Sequence, residues 1–109
     1  MGKRETLGDR HPSTLTSIGH MGLLLKQMGK LEEARPLFEE ALLASKETLG
    51  DRHPGTLRSI NNMGVLLMDM GQLKEARPLL EEALQARKET LGESHPDTLI
   101  SKTWLDLVN

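Results

Sequence analysis

The side chains of this sequence with the most obvious chemistry are its histidines, its adjacent glutamates and its methionines. His11, His53 and His95 recur once every 42 residues, each followed by proline. A metal site on a helix needs a second ligand three or four residues away, and none of these histidines has one. They read as residues that start helices. His20 has Asn62 as its counterpart and reads as a surface histidine. Glu39-Glu40 and Glu81-Glu82 read as solvated helix faces more than as catalytic carboxylate pairs. The glycines are isolated, so no phosphate-cradling loop is present. Cysteine is absent, which removes disulfides, thiolate metal sites and cysteine nucleophiles. No catalytic residue, metal or cofactor is expected, and the chain does not read as an enzyme.

Composition narrows the class further. The 109 residues are 37% hydrophobic and 28% charged, with a net charge of −2. No strongly basic face or tail marks a nucleic-acid partner. No apolar run approaches the roughly 18 residues that span a bilayer, so no membrane partner is expected either. Met1 to Arg10 is polar and charged, unlike a signal peptide. With no cysteine, this agrees with a cytoplasmic setting. The only aromatic residues are Phe38 and Trp104. A core built from Leu, Met, Ile and Ala favours closely spaced helices over a sheet sandwich.

Internal repetition sets the architecture. Glu5-Thr6-Leu7-Gly8 returns as Glu47-Thr48-Leu49-Gly50 and as Glu89-Thr90-Leu91-Gly92. Between Glu5–Lys46 and Glu47–Lys88, 30 of 42 positions are identical. Each copy reads as two helices. The first begins at the His-Pro pair, where proline's missing N–H has no intrahelical partner to lose. Leu15, Ile18, Met21, Gly22, Leu25 and Met28 then follow at spacings of three and four, one apolar stripe. Gly29 ends this helix, and the short turn through Lys30 makes the next one antiparallel. The second helix runs from near Leu31 to about Leu49, with Leu31, Ala34, Leu37, Phe38, Ala41 and Leu42 as its stripe. Pro36 and Pro78 lie inside these second helices, where a small kink or a loosened first turn is expected. One such pair cannot cover its own apolar stripe, but the next pair stacked on it can.

The run Met21-Gly22, Leu25, Gly29, Leu31, Ala34, Phe38, Ala41 resembles the tetratricopeptide repeat pattern. Met63-Gly64, Leu67, Gly71, Leu73, Ala76, Leu80, Ala83 repeats it. The usual repeat has about 34 residues, and the 42-residue form here is similar to that of kinesin light chains. Ile60-Asn61-Asn62-Met63-Gly64 is similar to their first-helix signature, and Leu-Gly-Asp-Arg-His-Pro to their linker. The expected fold is all-α: an antiparallel helix-hairpin solenoid of about five long helices, after a short N-terminal remnant. Its units are residues 1–10 (the end of a preceding second helix and a linker), 11–52 (repeat 1), 53–94 (repeat 2) and 95–109 (a capping helix). The resemblance implies a right-handed superhelix whose first helices line a concave groove for peptides or protein segments.

By that family geometry the groove positions of copy one are Thr16, Gly19, Leu23, Lys26 and Gln27. Those of copy two are Arg58, Asn61, Val65, Met68 and Asp69. All five differ between copies, whereas only 12 of 42 positions differ overall. A binding surface with position-specific contacts produces this pattern; drift at exposed positions is the plainer account. Arg58 and Lys26 suit a carboxylate, and Asn61 and Asn62 an extended peptide backbone. Asn62 equally suits a bond to a neighbouring helix. Leu23, Val65 and Met68 offer apolar contact. Gly19, Leu23, Ile100 and Trp104 stand where heat-shock cochaperone repeats carry Lys or Asn, Lys and Arg, so recognition of a chaperone tail is not expected.

The third copy stops at Asn109. Lys102 and Asp106 replace Ile60 and Gly64, as suits a solvating cap helix, while Leu99, Trp104 and Leu105 are expected to pack back on copy two. Trp104 alternatively suits an interface anchor. The outer face of the first helix is expected to be bare. An alternative reading follows: a self-assembling module forming homo-oligomers through exposed repeat ends or by domain swapping at the Gly29 or Gly71 turn. The near-identity of the copies also suits an excerpt of a longer array.

Overall fold

A computed structural model describes the backbone of residues 12–108 and the side chains of residues 17–108. The helical remnant and linker expected over residues 1–10 lie outside the described residues. Among the described residues five helices follow one another: α1 (Pro12–Gln27), α2 (Leu31–Leu49), α3 (Pro54–Asp69), α4 (Leu73–Leu91) and α5 (Pro96–Val108). Among the described residues there is no strand. Each helix packs on its sequence neighbours, and α3 also touches α5. The result is a slab with extents of 42 × 30 × 20 Å, the helix-hairpin solenoid that the repeats call for. No helix of the described residues is long and apolar enough to cross a membrane.

The turn inside each repeat is built by glycine. Gly29 and Gly71 adopt φ of 82° and 81°, a left-handed conformation that any side chain would strain. Two bonds lock each turn. Gly29 N–H donates to the Lys26 carbonyl at 3.0 Å, and Lys30 N–H donates to the Leu25 carbonyl at 2.9 Å. The same pair recurs at Gly71 and Gln72, satisfying carbonyls that the helix end would leave orphaned.

Within a repeat the two helices meet at small residues. A methyl group on Gly64 would lie 2.8 Å from Leu80 Cδ2, and one on Gly22 would strike the Phe38 ring. Ala34 and Ala76 are fully buried opposite. Pro36 and Pro78 sit inside helices that continue past them without a break.

The apolar stripe of α1 differs from expectation. Ile18 and Gly22 are buried and Leu25 packs on the core, but Met21 and Met28 are 52% and 55% exposed. Their counterparts are covered: Met63 is 5% exposed and Met70 packs on the core. Leu24 is half exposed where Leu66 is fully buried. The physical reason is position in the stack. Helix α3 has α2 behind it, whereas no helix of the described residues covers the corresponding side of α1. Leu99 is likewise 48% exposed and does not pack back on copy two, although Trp104, Leu105 and Val108 do.

Candidate protein-binding groove

The His-Pro pairs set where α3 and α5 begin. His53 Nδ1 accepts the Gly55 N–H at 2.9 Å, and His95 Nδ1 accepts the Asp97 N–H at 3.0 Å. Each imidazole thereby satisfies one of the free N–H groups at a helix start, the role usually filled by Ser or Asp. This accounts for His53 and His95 as caps, while His11 lies outside the described residues. Among the described residues no three His, Cys, Asp or Glu side chains cluster as a metal site would require.

The expected groove residues do not share one environment. Gly19, Leu23, Arg58 and Asn62 line one cavity of about 410 Å³ between α1 and α3. Arg58 and Asn62 also border a second cavity, of about 510 Å³, between α3 and α5. Lys26 and Asp69 pair with each other at 3.2 Å across the two repeats, so the Lys26 ammonium already has a carboxylate partner. Gln27 is exposed. The Thr16 side chain lies outside the described residues.

Asn61, Val65 and Met68 depart from the expected open surface. Asn61 and Val65 are buried, and Met68 is partly buried against the core. Asn61 turns towards the next repeat, where its Oδ1 accepts the Ser101 hydroxyl at 2.8 Å. Of the two asparagines, then, Asn61 bonds the neighbouring helix while still lining the second cavity, and Asn62 lines both cavities.

Arg87, a residue that sequence reasoning missed, completes this arrangement. It is buried on α4, and its Nη1 donates to the Asp97 carbonyl at 2.9 Å and to Ser101 Oγ at 3.0 Å. Burial pulls the Arg87 guanidinium below its ordinary pKa; the Asp97 charge opposes this and the Arg58 charge adds to it. The signal was present in the sequence: Arg87 stands where copy one has Ser45, one of the 12 differing positions. At the first junction the Ser45 carbonyl instead accepts the Thr56 hydroxyl at 3.1 Å. The equivalent Thr98 hydroxyl is buried without a partner.

Antiparallel helix pairs stacked in one direction, with cavities along their first helices, define a helical repeat scaffold. The chain belongs to the tetratricopeptide repeat family, whose models match residues 13–68 and residues 56–97. Its fold is close to that of a putative kinesin light chain from Podosopora anserina with nearly identical TPR-like repeats. That crystal structure superposes with a TM-score of 0.80 at 30% identity over 97% of this chain, and a single-substitution form of the same protein with a TM-score of 0.82 at 31% identity. BtubC (BKLC) from P. vanneervenii shares the fold, with a TM-score of 0.83 over 92% of this chain at 24% identity. The chain spans half the length of the first of these proteins and 40% of BtubC. No curated protein matches it.

Proposed function

We propose that the chain is a non-enzymatic interaction scaffold that holds a segment of another protein along α1, α3 and α5. Tetratricopeptide repeats generally mediate protein–protein interactions. The observation that carries the finer reading is the cavity between α1 and α3. Seven residues of its wall, Gly19, His20, Leu23, Ser45, Gly55, Arg58 and Asn62, are among the 12 of 42 positions at which the two copies differ. Leu23 gives apolar contact. Arg58 presents a fork of donors for a carboxylate, and the Asn62 amide suits a peptide backbone.

A peptide-library screen tests this. Segments selected by the chain should lose about tenfold or more in affinity towards an Arg58→Ala, Asn62→Ala variant, the order expected for charge-assisted hydrogen bonds. Undiminished binding by the variant removes the groove.

A second reading has its own observation. Met21, Leu24 and Met28 form an exposed apolar strip on α1. Self-association through that strip predicts a mass in light scattering that rises with concentration. A monomer at every concentration removes it.

A further inference from the structure

The two junctions between repeats are built on one plan but filled differently. At the junction of α4 and α5 the Arg87 guanidinium bonds the Asp97 carbonyl and Ser101 Oγ, and Ser101 Oγ bonds Asn61. One period earlier these four positions are Ser45, Gly55, Ser59 and Gly19. All four line the cavity of about 410 Å³ between α1 and α3. Replacing Arg by Ser and Asn by Gly has opened the space that a guanidinium fills in the next repeat. Two of its acceptor positions persist: the carbonyl of residue 55 and the hydroxyl of Ser59.

We propose that this cavity receives the arginine side chain of a bound protein segment, and that an acidic residue flanks that arginine. Guanidinium is the favoured chemistry because the slot repeats the geometry that already holds one. Gly55 and Ser59 line the slot at the positions from which the Asp97 carbonyl and the Ser101 hydroxyl accept a planar fork of donors in the next repeat. Leu23, Ala41 and Leu49 line the same cavity and cover the methylene stem. The acidic neighbour follows from charge. At the filled junction Asp97 offsets the burial of Arg87; at the open one Gly55 brings no carboxylate, and Arg58 stands in the wall. An arginine entering alone would meet Arg58 uncompensated. A carboxylate beside it on the ligand pairs with Arg58 and supplies the charge that Asp97 supplies in the next repeat.

This inference rests on the groove reading and names the side chains that the groove selects. It is tested with a capped peptide containing an Asp-Arg pair, titrated onto isotopically labelled protein while the amides of Gly19, Ser45, Gly55 and Ser59 are followed by NMR. Shifts should appear at these four residues. Replacing the arginine by citrulline, or the aspartate by asparagine, should weaken binding about tenfold or more. Ser45→Arg, which carries its own guanidinium into the slot, should abolish the shifts. Gly55→Asp, which copies Asp97, should tighten binding of a capped arginine that has no acidic neighbour; this arm still reads if Ser45→Arg fails to fold. The proposal is overturned by equal binding of the citrulline peptide, by a peptide bearing only aspartate that shifts the same amides as strongly, or by no shift at millimolar peptide. A library-selected segment that needs Arg58 and Asn62 but binds Ser45→Arg unchanged also overturns it, and leaves the groove reading standing.

Discussion

The Ser101 hydroxyl donates to Asn61 Oδ1 at 2.8 Å while accepting from Arg87 at 3.0 Å. That hydroxyl sits on α5, its acceptor on α3 and its donor on α4, so one buried oxygen joins three helices. Ser101 is fully buried, so a bond removed there leaves its hydroxyl short of a partner.

Arg87→Ala should therefore destabilise the chain by about 2–4 kcal/mol, the range for breaking a buried charged hydrogen-bond set. Converting this junction into the other one, with Arg87→Ser and Asn61→Gly together, should cost less than the sum of the single changes, because each single change strands the other's partner. Urea unfolding of the four proteins reads the coupling. Strict additivity would show that the network is not a unit.

Two glycines on the first helices, Gly64 and Gly19, should respond in opposite directions. A methyl group on Gly64 presses on buried Leu80, so Gly64→Ala should lose about 1–3 kcal/mol through overpacking. Nothing lies within 4 Å of a methyl group on Gly19. Gly19→Ala should gain up to about 1 kcal/mol from helix propensity. Thermal melts of the two variants against the parent decide this; a loss at Gly19 would contradict the open geometry there.

The histidine cap predicts a graded series. His53→Ala removes the acceptor for the Gly55 N–H and should cost about 0.5–2 kcal/mol, whereas His53→Asn keeps a capping oxygen and should recover most of it. Equal stability of the two variants would leave the recurring histidine without a structural reason.

Glu89 supplies the pH dependence. Its carboxyl titrates below the usual glutamate value, first because Gln85 donates to it and then because Arg52 does, with the Arg52 charge adding. A carboxyl depressed in the folded chain contributes stability that is present above its unfolded pKa and lost as pH falls through the folded value. Glu89 is exposed, so the effect belongs to the mildly acidic-to-acid range and is small. Gln85→Ala and Arg52→Ala should each raise the Glu89 midpoint in a carboxyl NMR titration. A midpoint unmoved in both would show that the Arg52 tie from the inter-repeat turn to α4 does not persist in solution.

Much of the fold was legible because its determinants are local. Gly29 and Gly71 need only their own φ, and His53 and His95 each need only an N–H two residues on. The close approach at Gly22 and Gly64 was legible too, since the pattern places a small residue opposite Ala34 and Ala76. Asn61 was not, because what buries it, Ser101 and the arginine behind it, lies a whole repeat further along the chain. Periodicity marks a face of a helix but does not say which neighbour covers it. Met21 and Met63 share a register and a residue type, yet one is wet and the other dry. The buried arginine escaped for a similar reason: a charged residue at a helix position reads as solvent-facing until its partners are known.

The exposure of Met21, Leu24 and Met28 on α1 also fixes an order of events. In a linear stack, cohesion is the sum of contacts between nearest neighbours, so the unit with an uncovered flank is held least. Amide protons of α1 should exchange first and those of α3, sheathed on both sides, last. Melting should then travel from repeat 1 inward as a front, and any ligand seated between α1 and α3 would act as a clasp on that loosest seam.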